Sequence, residues 1–189
     1  MKKIIAFLLC FLCLVSCSSS NLNKDISFIN ESNTTKHFKL GETLGDTIVP
    51  SSFIYKENYS GFEYYTESLS YRYVFSKNPK LGNKEVLTYF YTCDPEATLF
   101  GIKVGESTHI APSSSNKKNT KVTLYLQNYL TENGFKLIPH KKGTLQEIYF
   151  EGSSKYCWVC YESDTAFINY SYNFNSGKAE LHKFQIGIL

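Results

Sequence analysis

The segment 105–109, GESTH, is the closest approach in this chain to a catalytic nucleophile with its base, because Ser107 stands two residues before His109. A serine hydroxyl becomes nucleophilic when a histidine within hydrogen-bond reach accepts its proton. The same residues also suit a turn or a cap, where the hydroxyl bonds to the backbone. The turn is favoured, and only a cleft that holds Ser107, His109 and a carboxylate together would indicate a hydrolase.

Other side chains with catalytic potential are scattered. The four histidines are isolated, and no nucleophile elbow, phosphate-binding loop or dinucleotide fingerprint is present. The carboxylates that could form an acid/base pair are Asp46, Asp94, Glu96 and Asp164. Asp94 is followed by Pro95, which is typical of a turn between two strands. The sequence therefore favours a binding protein over an enzyme and predicts no cofactor.

The segment CWVC, from Cys157 to Cys160, has the spacing used by redox and zinc sites. A redox pair needs its first cysteine at a helix N-terminus, and zinc needs two further ligands, which this sequence does not supply. In a strand the two cysteines face opposite sides. No metal site is expected. A disulfide from Cys93 to Cys157 or Cys160 remains open, and buried free thiols are the favoured alternative.

The N-terminus carries chemistry of a different kind. Lys2 and Lys3 precede an apolar run from Ile4 to Val15, which is too short to span a membrane and is typical of a secretory signal. The segment LVSC (14–17), which begins with the last two residues of this run, resembles the bacterial lipobox. This resemblance implies cleavage after residue 16 and a diacylglyceryl group on Cys17. Because each buried CH₂ contributes about 0.8 kcal/mol, two acyl chains anchor a protein stably in a bilayer. An ordinary signal peptide with an incidental cysteine is the alternative.

Export limits the remaining possibilities. Cleavage leaves 173 residues, enough for one domain or two small ones, and losing two lysines lowers the formal net charge from +3 to +1. No basic stripe of the kind that binds nucleic acid is present. The expected location is the bacterial cell envelope, with the lipid anchor in a membrane, which is the outer membrane if the host has two membranes.

The mature chain shows an internal repeat. FKLGET (38–43) is echoed by IKVGES (102–107), IVPSS (48–52) by IAPSS (110–114), and NYSGF (58–62) by NYLTENGF (128–135). Apolar residues at helical spacing predict a helix from about Thr120 to Gly134, and a shorter one is predicted around 52–58. Period-two segments follow each helix and predict antiparallel strands. The fold class is therefore α+β, with two degenerate helix-plus-meander units.

These features divide the chain into four parts. Residues 1–16 form the signal peptide, and residues 17–36 form the lipidated cysteine with a Ser/Asn/Thr-rich flexible tether. The first repeat covers 37–101 and the second covers 102–189.

The repeat pattern of FKLGET, helix, Gly-Phe and meander is similar to the repeat of the β-lactamase inhibitory protein and of the small lipoproteins of the outer-membrane barrel-assembly machinery. The resemblance covers residues 38–189. Those repeats begin with two short helices, whereas Pro50, Pro112 and the segment PSSSNKKNT (112–120) interrupt that stretch here. The resemblance implies tandem units whose sheets form a curved face that binds another protein, and it supplies no catalytic residue.

Rows of aromatic side chains are the remaining candidate for a binding site. Alternate residues in a strand share a face, which groups Leu69, Tyr71, Tyr73 and Phe75, then Leu87, Tyr89, Tyr91 and Cys93, then Ile168, Tyr170, Tyr172 and Phe174. At least two rows are expected to form the core. A solvent-exposed row would bind a partner, since tyrosine is enriched at interfaces. The candidate binding residues are Tyr71, Tyr73, Tyr170 and Tyr172, and the expected partner is a protein or another envelope component.

Overall fold

The computed structural model describes residues 20–33, 39–46, 49–59, 61–108, 121–138, 147–151, 154–175 and 178–189. It is an α+β structure, as expected. Helix α1 covers 20–31 and helix α2 covers Lys121–Glu132, with two short 3-10 turns at Leu44–Asp46 and Pro79–Leu81. The strands are β1 Phe53–Asn58, β2 Gly61–Thr66, β3 Tyr71–Asn78, β4 Lys84–Thr92, β5 Thr98–Leu99, β6 Ile102–Lys103, β7 Ser107–Thr108, β8 Lys136–Leu137, β9 Glu147–Glu151, β10 Ser154–Glu162, β11 Ala166–Asn175 and β12 Lys178–Ile188.

One antiparallel sheet organises the described residues. Its order is β1-β2-β3-β4-β12-β11-β10-β8, with β9 also paired to β10 and β7 also paired to β12, while β5 and β6 form a separate hairpin. The meanders β1–β4 and β9–β12 meet at the pairing of β4 with β12. Successive strands without a helix between them pair as antiparallel neighbours, as the period-two segments predict.

The core lies on one face of this sheet, which we name the inner face. Both helices and the β5–β6 hairpin contribute buried side chains to a single apolar cluster that also contains the inner residues of β3, β4, β11 and β12. Phe28 of α1 stacks on Phe100 of the hairpin and contacts Phe135 after α2. These three side chains therefore connect α1, the β5–β6 hairpin and the end of α2, which together cover the inner face.

Helix α2 confirms the predicted second helix. It ends before Gly134, whose φ of +91° is a conformation that favours glycine. The Phe135 N–H donates to the Leu130 carbonyl and the Gly134 N–H donates to the Thr131 carbonyl, which is the Schellman pattern. The helix predicted around 52–58 is wrong, because those residues form strand β1. Ile54, Tyr55 and Lys56 lack the helical apolar spacing that defines α2.

Helix α1 replaces most of the segment expected to be a flexible tether. Leu22 and Ile29 of α1 are fully buried, and Asp25 is 8% exposed. The tether prediction is wrong for residues 20–31, because spacings of three and four residues between these positions give the helix one buried stripe. The Ser/Asn-rich composition conceals that stripe.

Asp25 fastens α1 to the turn between β10 and β11. One oxygen of its carboxylate accepts hydrogen bonds from Ser163 Oγ at 2.6 Å and Thr165 Oγ1 at 2.5 Å. Ser163 Oγ in turn accepts from the backbone N–H groups of Thr165 and Ala166. A buried carboxylate needs such partners, since an unmatched buried charge is costly.

The segments KLGE and KVGE attach to the sheet by matching hydrogen bonds. Gly41 donates to the Leu87 carbonyl and Gly105 donates to the Leu181 carbonyl, both at 2.8 Å. The N–H groups of Leu87 and Leu181 return bonds to the carbonyls of Glu42 and Glu106. The third sequence echo has no structural counterpart, because Asn58, Gly61 and Phe62 lie in the paired strands β1 and β2, whereas 128–135 covers the end of α2 and the residues after it. The second echo involves residues outside those described.

The two central strands also share an irregularity. Between β3 and β4 the register shifts at Thr88, and between β11 and β12 it shifts at His182. Each is a one-residue bulge, placed one residue after the leucine that receives the KLGE or KVGE segment. A bulge reverses which face the following residues occupy.

Removing the Asp25 carboxylate is expected to weaken the docking of α1. The variant Asp25→Ala leaves the Thr165 hydroxyl buried without its acceptor, so we expect the free energy of unfolding to fall by about 1–3 kcal/mol. Urea denaturation of the mature domain measures this. Lys24→Ala changes the exposed neighbour on the same helix turn and should alter stability by less than about 0.5 kcal/mol. Equal effects of the two variants would contradict the role of Asp25.

Candidate functional site

The face of the sheet opposite the core is the candidate site. Tyr73, Phe90, Tyr170 and Phe184 point into the core, so their sequence neighbours point away from it. In the described part of the chain, both helices and the hairpin pack on the inner face. We call the other side the open face. Its partly exposed aromatic residues are Tyr65, Tyr89, Tyr91, Trp158 and Phe167.

A transverse row of hydrogen-bonding side chains crosses the middle of the open face. The strand register places Asn169 beside Gln185, Gln185 beside Tyr91, Tyr91 beside Arg72, and Arg72 beside Tyr65. Neighbouring strands lie about 4.8 Å apart, so these five positions span roughly 19 Å. The row offers two amides, two phenols and one guanidinium to a partner.

The charge of Arg72 is balanced within the sheet. Its guanidinium Nη2 lies 2.7 Å from Glu63 Oε2, and Nε donates to the same oxygen at 2.9 Å. The Glu63 side chain is 7% exposed, whereas that of Arg72 is 48% exposed. Burial raises the pKa of the neighbouring Tyr89 phenol, and the Arg72 charge partly opposes that shift. Tyr89 is therefore a neutral hydrogen-bonding group at neutral pH.

Phe167 lies flat against the sheet because Gly187 has no side chain. A Cβ added at Gly187 would stand 2.5 Å from Phe167 Cε1 and 3.1 Å from the Thr88 carbonyl oxygen. The Phe167 ring centroid is 6.3 Å from that of Tyr89 on β4. An aromatic ring over a strand glycine bridges the neighbouring strands and covers the backbone. This contact makes one continuous aromatic surface across the join of the two meanders.

Trp158 carries a cation on its ring at the far side of the open face. The Lys183 ammonium lies 5.2 Å from the ring centroid, within the range of a cation–π interaction. Trp158 pairs across the strands with Ser171, and Ser171 pairs with Lys183. The open face therefore combines the residue types that dominate binding at protein interfaces, namely tyrosine, tryptophan and arginine.

The tyrosines predicted as binding residues lie on the inner face. Tyr73 and Tyr170 are fully buried and Tyr172 is 2% exposed, so these three belong to the core. Tyr170 packs against Tyr161 and Tyr172, and burial raises its pKa well above the ordinary value. The core role expected for at least two of the aromatic rows is confirmed. Three of the four residues are thus inaccessible to a partner in this fold.

Tyr71 is the exception, since it is partly exposed at the end of β3. Burial raises its pKa to about 12, and a hydrogen bond from its hydroxyl to the Asp94 carboxylate adds to the shift. Asp94 lies in the predicted turn after β4, where the Ala97 N–H donates to the Asp94 carbonyl. Tyr71 therefore fastens that turn to the sheet.

The bulge at Thr88 explains why alternation in the sequence does not predict the tyrosines of the open face. Strict alternation places Leu87, Tyr89 and Tyr91 on one face. In the structure Leu87 is fully buried, and the shift at Thr88 turns Tyr89 and Tyr91 to the open face. One feature of the sequence does indicate the two bulges. Thr88 and His182 occupy the same position in the two meanders, each one residue after a core leucine.

Among the side chains that the structure describes, the other predicted chemical groups do not assemble into a site. Asp94 follows β4, which ends beside the middle of β12, whereas Asp164 lies in the turn beside the end of β12. The structure describes only the backbone of Ser107, and His109 lies outside the described residues. Cys93 and Cys160 are partly exposed on the side of the open face, and the side chain of Cys157 is not described. No metal-binding group of histidine, cysteine or acidic residues occurs among the described side chains.

Cys17 and the signal segment 1–16 lie outside the described residues. Within the ranges that are described, neither helix has the length and apolar content to cross a membrane. The proposed lipid anchor therefore remains a prediction from the sequence.

Comparisons with known proteins return no relative. No protein-family model, curated protein or solved structure matches this chain. The resemblance to the inhibitory-protein and barrel-assembly repeats therefore stays an expectation from the sequence pattern.

The contact between Phe167 and Gly187 predicts a coupled pair of substitutions. Gly187→Ala forces the ring away from the strand, and overpacking of this kind costs about 1–3 kcal/mol of folding stability. Gly45→Ala is the control, because a Cβ there meets no heavy atom within 4 Å. In a Phe167→Leu background the cost of Gly187→Ala should shrink. Additive costs in a double-mutant cycle of urea unfolding would contradict the contact.

Proposed function

We propose that this protein is a lipid-anchored protein of the bacterial cell envelope that binds another protein without catalysis. The anchor is acylated Cys17, which faces the periplasm from the outer membrane in a host with two membranes. The open face is the binding surface. The observation that carries the proposal is this aromatic face of the antiparallel sheet, on which neither described helix packs.

An antiparallel sheet often buries one face and leaves the other in water. The solvated face of such a sheet normally alternates charged and polar residues, whereas this one carries five partly exposed aromatic rings. Its central charge, Arg72, is already paired with Glu63. A broad surface of aromatic rings, neutral amides, one paired guanidinium and the Lys183 ammonium over Trp158 fits a protein partner, because these residue types dominate binding at protein interfaces.

We also propose that the two halves of the sheet are degenerate copies of one unit. Matching hydrogen bonds from KLGE to Leu87 and from KVGE to Leu181 support this. The bulges at Thr88 and His182 lie at the same distance from those leucines. Relating the copies in this way places a pseudo-twofold axis at the pair Tyr91 and Gln185, in the centre of the open face.

Two other functions compete with binding. A lipid-tethered hydrolase of an envelope polymer would need Ser107, His109 and a carboxylate in one cleft, and the described carboxylates Asp94 and Asp164 are far apart along the sheet. A purely structural envelope protein would not require an exposed aromatic face. The binding function is favoured because it alone accounts for the open face.

The lipid anchor predicts a specific modification. In its native bacterium the protein should begin at Cys17 and incorporate labelled palmitate, since cleavage and acylation both depend on that thiol. Cys17→Ser should abolish the label and leave the signal peptide uncleaved. Mass spectrometry of the N-terminal peptide measures both results, with Cys93→Ser as the matched control. A mature wild-type protein without lipid would contradict the anchor.

Site-specific photocrosslinking tests the open face. Tyr91 is replaced by p-benzoylphenylalanine in the acylated protein, and irradiation of whole cells should give one abundant adduct with a single envelope protein. The same replacement at Tyr125 is the control, because Tyr125 is 46% exposed on α2 over the inner face. It should give no such adduct.

The outcomes separate the three functions. An adduct from Tyr125 alone, or none from either position, would contradict binding by the open face. An adduct with a glycan would show that the partner is an envelope component other than a protein. Polymer turnover by the purified mature domain would replace binding with hydrolysis.

A further inference from the structure

Only a very short length of chain separates the proposed anchor residue, Cys17, from helix α1. Helix α1 includes Ser20, only three residues after Cys17. Three residues of fully extended chain span at most about 11 Å. If Cys17 is acylated, as the proposed function requires, the N-terminal end of α1 must therefore lie next to the lipid headgroups.

The contacts of α1 show which end of the sheet accompanies its N-terminus. Asp25 bonds to the β10–β11 turn at Ser163 and Thr165, and the Thr165 carbonyl accepts from the Leu189 N–H. The C-terminal end of α1 instead reaches the middle of the sheet, since the Ser32 carbonyl accepts from the Phe100 N–H. The helix therefore runs inward from the sheet end at which β12 finishes.

The turn between β3 and β4 belongs to the same end. A Cβ at Gly41 would lie 3.1 Å from Ile26 of α1 and 3.8 Å from Leu81 of that turn, so Gly41 stands between the two. The Lys80 ammonium donates to the Leu189 carbonyl at 3.1 Å. We name this the anchor end: the β3–β4 turn, the β10–β11 turn and Leu189.

The charge around the anchor end suits an anionic surface. Four exposed lysines lie at or near it: Lys24, Lys77, Lys80 and Lys84. Among the described side chains, the exposed acids at this end are Glu85 and Asp164, and Glu57 lies farther away near the end of β1. Lysines close to anionic headgroups are attracted to them within about one Debye length, roughly 8–10 Å.

We propose that the anchor end rests on the lipid headgroups of the bilayer that holds Cys17, with Lys77, Lys80 and Lys84 contacting anionic lipids. This inference rests on the proposed acylation and goes beyond it by fixing the orientation of the body. The strands then stand away from the membrane. The open face is presented sideways to the aqueous compartment, where a partner can reach it.

Depth-dependent quenching tests this orientation. A genetically encoded coumarin amino acid replaces Lys80 or, as the control, Ser68 in the β2–β3 turn at the opposite end of β3. The eight residues of β3 separate the two sites by about 26 Å. The acylated protein is reconstituted in phosphatidylcholine vesicles that contain a lipid with a nitroxide headgroup, with and without phosphatidylglycerol.

The expected result is strong quenching at position 80 and little at position 68, with an increase at position 80 when phosphatidylglycerol is added. The double variant Lys77→Gln/Lys84→Gln should remove that increase. Equal quenching at both positions, or stronger quenching at 68, would overturn the orientation while leaving the acylation intact. A lack of response to phosphatidylglycerol would overturn the lysine contact. Protein that lacks the lipid when purified from its native cells would refute both this inference and the proposed anchor.

Discussion

The antiparallel pairing of β4 with β12 is the constraint on which the rest of the structure depends. Four residue pairs, from Tyr89–Gly187 to Thr92–Phe184, join two meanders that are otherwise built from neighbours in sequence. Only this join makes the inner face wide enough for two helices and a hairpin. It also brings Phe90 beside Ile186 and so connects the cores of both halves. A shift of one residue here would exchange core and solvent faces on one meander.

The same strand register determines which residues lie on the open face. Because both central strands carry a bulge near Leu87 or Leu181, the residues that follow change faces together. Tyr91 and Gln185 consequently meet in the middle of the open face, and Gly187 provides the flat site for Phe167. One set of strand pairings thus determines both the core and the candidate binding surface, and both described helices pack on the core side.

Most of the secondary structure could be predicted from local pattern. Alternation in AFINYSYNF and helical spacing before Gly134 correctly predicted β11 and α2, since each signal is contained in a few residues. Helix α1 was missed because its stripe of Leu22, Asp25 and Ile29 includes a carboxylate whose partners lie far away in sequence. The accessible aromatic surface was missed for a similar reason. A bulge is defined by the partner strand, and one strand's sequence does not contain its partner's register.

Helix α1 also sets an order of events during biosynthesis. Its Asp25 is held by residues 138 and 140 positions later in the chain, and that turn is itself bonded to Leu189. Contacts between residues so far apart in sequence form late in folding, because closing the long intervening loop costs conformational entropy. Helix α1 therefore docks late, although it precedes every strand of the sheet in the chain. For the exported protein that we propose, this order is an advantage, because the chain does not complete its fold until the final strand has crossed the membrane.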